Sequence, residues 1–212
     1  MQDTEAAPPE HRWEALPLDE TKRLLSGVAT PWWIAGGHAL DMFLGHETRK
    51  HAGMDVAILR RDQKAFLEAL RKWDVQIAHD GKLIPLRPGE VVTTPEHHQL
   101  WARESPDGPW RMEVFLENSD GKRWSYRRND RIGLNVADLG RRDSYGIQFI
   151  RPEVMLLYKS KSPRPVDETD FLYALPRLDV AQKGWLCGAL YTVDPKHRWL
   201  ERRAICTLWG RA

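Results

Sequence analysis

The sequence predicts an α+β protein in which a small mixed β-sheet is flanked by helices and followed by a helical C-terminal portion. Every second residue from 110 to 116 is apolar, which is typical of a half-buried strand, whereas residues 62–73 repeat apolar side chains at helical spacing. Strand and helix patterns mix up to about residue 150, and only helical spacing recurs beyond it. We therefore expect a flexible N-terminus over residues 1–15, a mixed domain over 16–150 and a helical portion over 151–212 packed on it.

The elements in the first half of the chain follow from local signals. Gly45 stands where a glycine commonly ends a helix, and Asp62 stands where an N-cap residue precedes one. Residues 96–102 are expected to precede a sheet edge or a loop. The predicted helices cover residues 16–28, 39–44 and 62–73, and the predicted strands cover 32–35, 54–58, 75–78 and 110–117.

The second half is ordered by a hairpin and then by helices. Asp120 and Gly121 are a hairpin turn signal, and Pro152 opens a helix because proline is well tolerated in a first helical turn. The predicted strands cover residues 123–126, a short segment around Ile132, and 147–150; the predicted helices cover 152–161, 167–175, 181–190 and 198–209.

Charge and composition exclude several classes of protein. The formal net charge of +2 is near neutral, which argues against a protein that binds nucleic acid through bulk positive charge. No run reaches the ~18 apolar residues of a membrane helix. The acidic, proline-containing N-terminus is not expected to be a signal peptide, so we expect a cytoplasmic protein. The oligomeric state does not follow from the sequence.

Cysteines and tryptophans give weaker signals. Cys187 and Cys206 lie in apolar, helical contexts, which favours buried free thiols over a disulfide, and neither has a partner at zinc-binding spacing. The chain has 10 tryptophans, a high count that serves either core and surface packing or an aromatic floor for a ring-bearing substrate.

One stretch, residues 32–59, carries the strongest functional signal. Gly36 and Gly37 lie between a predicted strand and a predicted helix, where backbone N–H groups can approach an anion; a purely structural turn is the alternative. Asp55 lies in the next, otherwise apolar strand. Because burying an unpaired charge is costly, Asp55 needs either a divalent metal or an ion pair with Arg49 or Lys50.

This ordered set resembles the nucleotidyltransferases of the DNA polymerase beta superfamily, and most of all those that modify aminoglycoside and lincosamide antibiotics. The resemblance extends over roughly residues 32–178. Its matching pieces are Gly36-Gly37, the helix that contains Asp41, Thr48-Arg49 with His51, Asp55, Met112-Glu113-Val114, and the segment from Lys159 to Asp170.

The resemblance implies an enzyme that binds a nucleoside triphosphate such as ATP with Mg²⁺ and transfers a nucleoside monophosphate to a hydroxyl group of a small molecule. Such activity confers antibiotic resistance in the family. Asp55 and Glu113 are then the catalytic and metal-binding acids, Glu113 either binding the catalytic metal or serving as base. A solvent-facing acid on an edge strand is the other interpretation of Glu113. The implied nucleotide-binding residues are Gly36, Gly37, His38, Arg49, His51 and Lys159.

Three further acids have open roles. Asp41 is expected to orient the loop that follows its helix, to supply a substitute carboxylate, or to have a surface or capping role. Asp167 and Asp170 are expected to make capping and structural contacts. The adjacent His97 and His98 are a weak metal candidate because neighbouring side chains on a strand point apart.

One departure from the family pattern divides the functional hypotheses. The family places an acid two residues before Asp55, and this chain has Gly53 there. In the family the two acids of this motif bridge two magnesium ions. The change to glycine therefore leaves open a degenerate protein that binds a nucleotide or small molecule without chemistry. A third possibility is a toxin that modifies RNA or protein, although nucleic acid is not the expected partner. Its groove would use Arg123, Arg127, Arg128, Arg131, Arg141 and Arg142.

Overall fold

The computed structural model describes residues 12–202 and residue 205. The first 11 residues of the predicted flexible N-terminus lie outside the described residues, as do Cys206 and much of the predicted helix at 198–209. Within the described residues, the helices are α1 (Leu18–Leu25), α2 (Gly36–Leu44), α3 (Gln63–Ala69), α4 (Pro152–Lys159), α5 (Pro165–Ala174) and α6 (Val180–Val193). The strands are β1 (Trp32–Ile34), β2 (Met54–Leu59), β3 (Asp74–His79), β4 (Lys82–Pro85), β5 (Gln99–Arg103), β6 (Met112–Ser119), β7 (Arg123–Ser125), β8 (Gly133–Asn135), β9 (Gly140–Arg142) and β10 (Gln148–Ile150). The predicted α+β class is confirmed.

The chain divides into two compact units. Among the described residues, the first unit contains those up to Ile34 and Lys50–Glu117, and the second contains Ala35–Arg49 and those from Asn118 onward. No helix in the described part of the chain is long and apolar enough to cross a membrane.

The first unit is built on a mixed sheet with the strand order β4-β3-β5-β6-β2-β1. β2 and β6 are parallel, and the other neighbouring strands of this unit are antiparallel. Five of the six residues of β2 are buried, which is the nearly continuous burial expected of a strand inside a sheet. α3 contacts both β2 and α1, and Leu25 and Phe66 are buried.

β5 corrects one prediction, because residues 96–102 lead into an interior strand rather than a sheet edge or loop. β5 pairs with β3 on one side and with β6 on the other. Leu100 and Ala102 are fully buried, but two apolar positions within a five-residue strand are too short a pattern to separate from a loop.

The second unit is mainly helical. α4 contacts α2, α5 and α6, and its residues from Pro152 to Leu157 are all buried. Gln182 of α6 donates a hydrogen bond from Nε2 to Oε2 of the buried Glu153 at 2.8 Å, which joins α6 to α4. β9, with the sequence Gly-Arg-Arg, was not predicted because it has no apolar residue; it forms a hairpin with β10.

Cys187 corrects a second prediction. Its side chain is buried in α6, as expected, but it is disulfide-bonded rather than a free thiol. The prediction rested on the apolar helical context, which is compatible with a buried thiol and with a buried disulfide alike.

Candidate functional site

The first unit brings together the two acids that the sequence singled out. Asp55 and Glu113 are direct register partners on the adjacent parallel strands β2 and β6. Both are half-buried, whereas the residues before and after each of them are buried, so the two carboxylates share the more open face of the sheet. β6 lies between β2 and β5, so Glu113 is not on an edge strand.

This arrangement fits a divalent metal ion. Neighbouring strands lie about 4.8 Å apart, and like charges directly opposite each other across two strands are destabilising unless a cation lies between them. Carboxylate oxygens are the ligands that Mg²⁺ prefers. We name these two residues the acid pair. Its members could hold one such ion together.

A group of tryptophans in the first unit adjoins Glu113 through Trp101. Trp101 of β5 is the register partner of Glu113, and its ring lies 4.9 Å from that of Trp13 and 5.5 Å from that of Trp110, both edge to face. The indole Nε1 of Trp101 is buried and has no hydrogen-bond partner. We name Trp13, Trp101 and Trp110 the tryptophan cluster. Trp13 was missed by the sequence analysis because it precedes the first helix in a segment without periodicity.

Gly53 lies directly beneath Trp13. A Cβ atom added to Gly53 would lie 2.8 Å from Cε3 and 2.9 Å from Cζ3 of the Trp13 ring. The residue that departs from the family pattern is therefore in contact with an indole.

The glycine pair lies in the second unit and begins α2 rather than preceding it. Gly36 has φ of 60°, in the left-handed region that favours glycine, and its N–H donates to the thioether sulfur of Met155 at 3.1 Å. Gly45 ends the same helix in the left-handed conformation with φ of 81°, which confirms the predicted C-cap. Asp41 accepts hydrogen bonds from Oγ1 and the backbone N–H of Thr48 at 2.6 and 3.1 Å, so it orients the following loop, one of its three expected roles.

The second unit also joins two predicted phosphate-binding cations to two acids. Lys159 Nζ lies 2.8 Å from carboxylate oxygens of both Asp167 and Asp170, and the guanidinium of Arg49 binds both oxygens of Asp170 at 3.2 Å. Arg164 completes the group through Asp167. We name these five residues the buried acid cluster, since both carboxylates are nearly inaccessible to solvent.

Opposing influences act on the pKa of Asp167. Burial raises its pKa, but hydrogen bonds from Arg164 and Lys159 and the charge of Lys159 outweigh burial and hold the pKa well below its usual range. Asp167 also accepts a hydrogen bond from the backbone N–H of Arg164 and so caps α5, in line with its expected role.

The remaining predicted residues are not gathered in one unit. His38 is the third residue of α2 in the second unit, whereas His51 precedes β2 in the first; both are half-buried. His97 packs against the ring of His79 at 4.6 Å, while Nδ1 of His98 lies 3.1 Å from Arg60. The adjacent histidines therefore have different surroundings, as expected for neighbours that point apart.

Arg60 and two of the arginines proposed for an RNA groove, Arg123 and Arg142, donate hydrogen bonds to carbonyls of their own chain. Arg60 donates to backbone carbonyls of the segment 94–97; burial lowers its pKa, while the charges of Glu117 and Glu96 raise it. Arg123 donates to two carbonyls and Arg142 to one. These contacts anchor loops.

Comparison with known proteins agrees with the fold. A family model described as aminoglycoside-2''-adenylyltransferase matches residues 18–114, which contain the acid pair. No curated protein matches the sequence.

Three solved structures are similar. The lincosamide antibiotic adenylyltransferase LnuA, bound to lincomycin, has a TM-score of 0.51 and 16% identity over 76% of this chain and 97% of that one. ANT(2'')-Ia in complex with adenylyl-2''-tobramycin has a TM-score of 0.47 and 15% identity over 80% of this chain and 92% of that one. A nucleotidyltransferase-like protein from Paracoccidioides brasiliensis has a TM-score of 0.44 and 16% identity over 91% of this chain and 94% of that one. The family model and the fold shared with LnuA together confirm the resemblance to the antibiotic nucleotidyltransferases.

Proposed function

We propose that this protein is a nucleotidyltransferase that binds a nucleoside triphosphate with Mg²⁺ and transfers the nucleoside monophosphate to a hydroxyl group of a small molecule. The observation that carries the proposal is the register pairing of Asp55 with Glu113 inside the segment matched by the family model. The family model, described as aminoglycoside-2''-adenylyltransferase, and the lincomycin bound by LnuA support an acceptor of the aminoglycoside or lincosamide type.

The reaction requires charge to be balanced at one phosphorus atom. The acceptor oxygen forms a bond to the α-phosphorus, the bond from that phosphorus to the bridging oxygen of pyrophosphate breaks, and the hydroxyl proton leaves to a base or to water. Asp55 and Glu113 are the residues that would hold Mg²⁺. When bound, the ion offsets the negative charge that develops on the phosphoryl oxygens and lowers the pKa of the acceptor hydroxyl.

The second unit offers groups suited to phosphate. The Gly36 N–H donates to a thioether, which is a weak acceptor, so exchange for a phosphate oxygen costs little. In the buried acid cluster the side chains of Arg49, Lys159 and Arg164 bind the carboxylates of Asp167 and Asp170. Arginine and lysine side chains of this kind bind phosphates.

One observation favours a second candidate, a protein that binds nucleotide without transferring it. Gly53 lacks the carboxylate of the family pattern, and Trp13 fills the space above it. A site with one fewer acid has less capacity to offset charge in the transition state. The proposed RNA or protein substrate has no comparable observation in its favour.

A pyrophosphate-release assay tests the proposal. It would use the four nucleoside triphosphates, Mg²⁺ and a panel of lincosamides and aminoglycosides. We expect acceptor-dependent release that falls about 100-fold or more in Asp55→Asn and in Glu113→Gln. Glu68→Gln, which changes an acid with a 73% exposed side chain in the same unit, is the matched control and should retain full activity.

Two other outcomes are informative. Nucleotide binding that depends on Mg²⁺ and Asp55, without release for any acceptor, would favour the second candidate. Neither binding nor release in any protein would contradict both candidates and leave only the fold.

A further inference from the structure

We propose that Trp13 occupies the space in which the first acid of the family motif would stand, so that the acid pair holds one divalent ion and a carboxylate at residue 53 binds metal only when the indole is removed. This inference rests on the proposed function, because it concerns the metal content of the same site.

The first step is the contact at Gly53. Its ideal Cβ position lies 2.8 and 2.9 Å from two atoms of the Trp13 ring, closer than real Cβ atoms approach other heavy atoms. Any side chain at residue 53 therefore requires the ring to move. Glycine is needed here because the indole approaches the backbone closely.

The second step is that both the backbone and the ring of Trp13 are held in place. The backbone N–H of Trp110 donates to the carbonyl of Arg12 at 2.8 Å, and the N–H of Glu14 donates to the carbonyl of Trp110 at 2.9 Å. The ring packs edge to face against Trp101 at 4.9 Å. Moving the indole would disturb both sets of contacts.

The third step connects Trp13 to the acid pair. Trp101, which contacts Trp13, is the cross-strand neighbour of Glu113, and Glu113 is the cross-strand neighbour of Asp55. The tryptophan cluster thus adjoins Glu113 through Trp101, and a side chain at residue 53 would point into the Trp13 ring of the same cluster. An indole has no oxygen ligand for a hard cation, and two carboxylates balance the charge of one divalent ion.

A thermodynamic cycle tests the contact without metal. Gly53→Ala adds only the Cβ, and Gly53→Asp adds the carboxylate; each is made with Trp13 present and with Trp13→Ala. We expect each Gly53 substitution to lower the thermal unfolding midpoint by roughly 2–10 °C when Trp13 is present and by much less when it is absent. Equal losses in both backgrounds would overturn the inference. If Trp13→Ala does not fold, Trp13→Leu keeps an apolar side chain and gives the same comparison.

Counting bound Mn²⁺ by electron paramagnetic resonance tests the consequence. We expect one ion in the unmodified protein and in Gly53→Asp, and either a second ion or at least tenfold tighter binding when Gly53→Asp is combined with Trp13→Ala. A second ion in Gly53→Asp alone would refute the role of Trp13.

The two proposals fail in different ways. The proposed function fails if the unmodified protein binds no Mn²⁺, or if its Mn²⁺ binding persists in Asp55→Asn. The unfolding cycle still decides whether Trp13 excludes a side chain at residue 53, because it is measured without metal.

Discussion

Each compact unit contains a pair of acids close in space, and the two pairs have opposite surroundings. Asp167 and Asp170 are buried and held by Lys159 and two arginines. Asp55 and Glu113 lie side by side on the more open face of a sheet, and Trp101 is the cross-strand neighbour of Glu113.

The difference separates carboxylates that maintain a fold from carboxylates that can exchange ligands. A buried, fully paired acid is costly to change and gains nothing from solvent access. Two half-buried acids on the more open face of a sheet are accessible to a cation from solvent, and close carboxylate pairs of this kind are typical of functional sites. The buried acid cluster is thus expected to govern stability, and the acid pair is expected to govern activity.

The largest expected effect is on stability, from Asp170→Asn. This change removes a carboxylate that binds Lys159 and the Nε and Nη2 atoms of Arg49. We therefore expect a loss of about 3–5 kcal/mol in the free energy of unfolding. Urea denaturation measures it, with the exposed Asp130→Asn as control. A loss no greater than that of the control would mean that the cluster does not stabilise the fold.

The acid pair should show the reverse. We expect Asp55→Asn to reduce pyrophosphate release about 100-fold while changing the free energy of unfolding by less than about 1 kcal/mol. Asp55 is half-buried rather than buried, so its change to asparagine leaves the packing of the sheet in place. Circular dichroism measures the folded fraction of Asp55→Asn. If activity falls only in proportion to that fraction, the distinction between the two pairs of acids is lost.

The pH dependence of stability sharpens the comparison. The pKa of Asp167 is lowered in the folded protein, so its contribution to stability is fully present above the unfolded value of about 3.9 and is lost as the pH falls below it. We expect Asp167→Asn to be less stable than the unmodified protein at pH 7, with a difference that shrinks below about pH 4. Urea denaturation at several pH values measures this, and a constant difference would contradict the assignment.

The smallest expected effect lies at the surface of the same cluster. The side chain of Arg164 is 71% exposed, whereas that of Lys159 is 11% exposed, although both bind Asp167. Because exposed ion pairs contribute little, Arg164→Ala should cost less than about 1 kcal/mol. Lys159→Met should cost more in the same denaturation assay, and the opposite order would show that burial does not decide the strength of these pairs.

Much of the fold could be predicted because periodicity over enough residues identifies an element. The alternation in 110–117 and the apolar spacing in 62–73 were long enough to give β6 and α3. β9, with three polar or small residues, has no such pattern, since its hydrogen bonds to β10 are made by the backbone alone.

The candidate site was predictable only in part. Asp55 and Glu113 stood out because each is an acid between apolar residues of a strand, but their direct pairing depends on the register of β2 with β6, which no local pattern encodes. Trp13 lies 40 positions before Gly53 in the sequence, and nothing near either residue indicates the contact. Long-range packing of this kind is determined by the folded sheet.

The most direct test of the account is to locate a divalent ion on the protein. Mn²⁺ titrated into isotopically labelled protein broadens the amide signals of residues near the ion. The account predicts broadening centred on residues 54–56 and 112–114, abolished in Asp55→Asn, and none centred on 167–170. Broadening centred on 167–170, or none that depends on Asp55, would contradict the claim that the acid pair is the metal site and the buried acid cluster is structural.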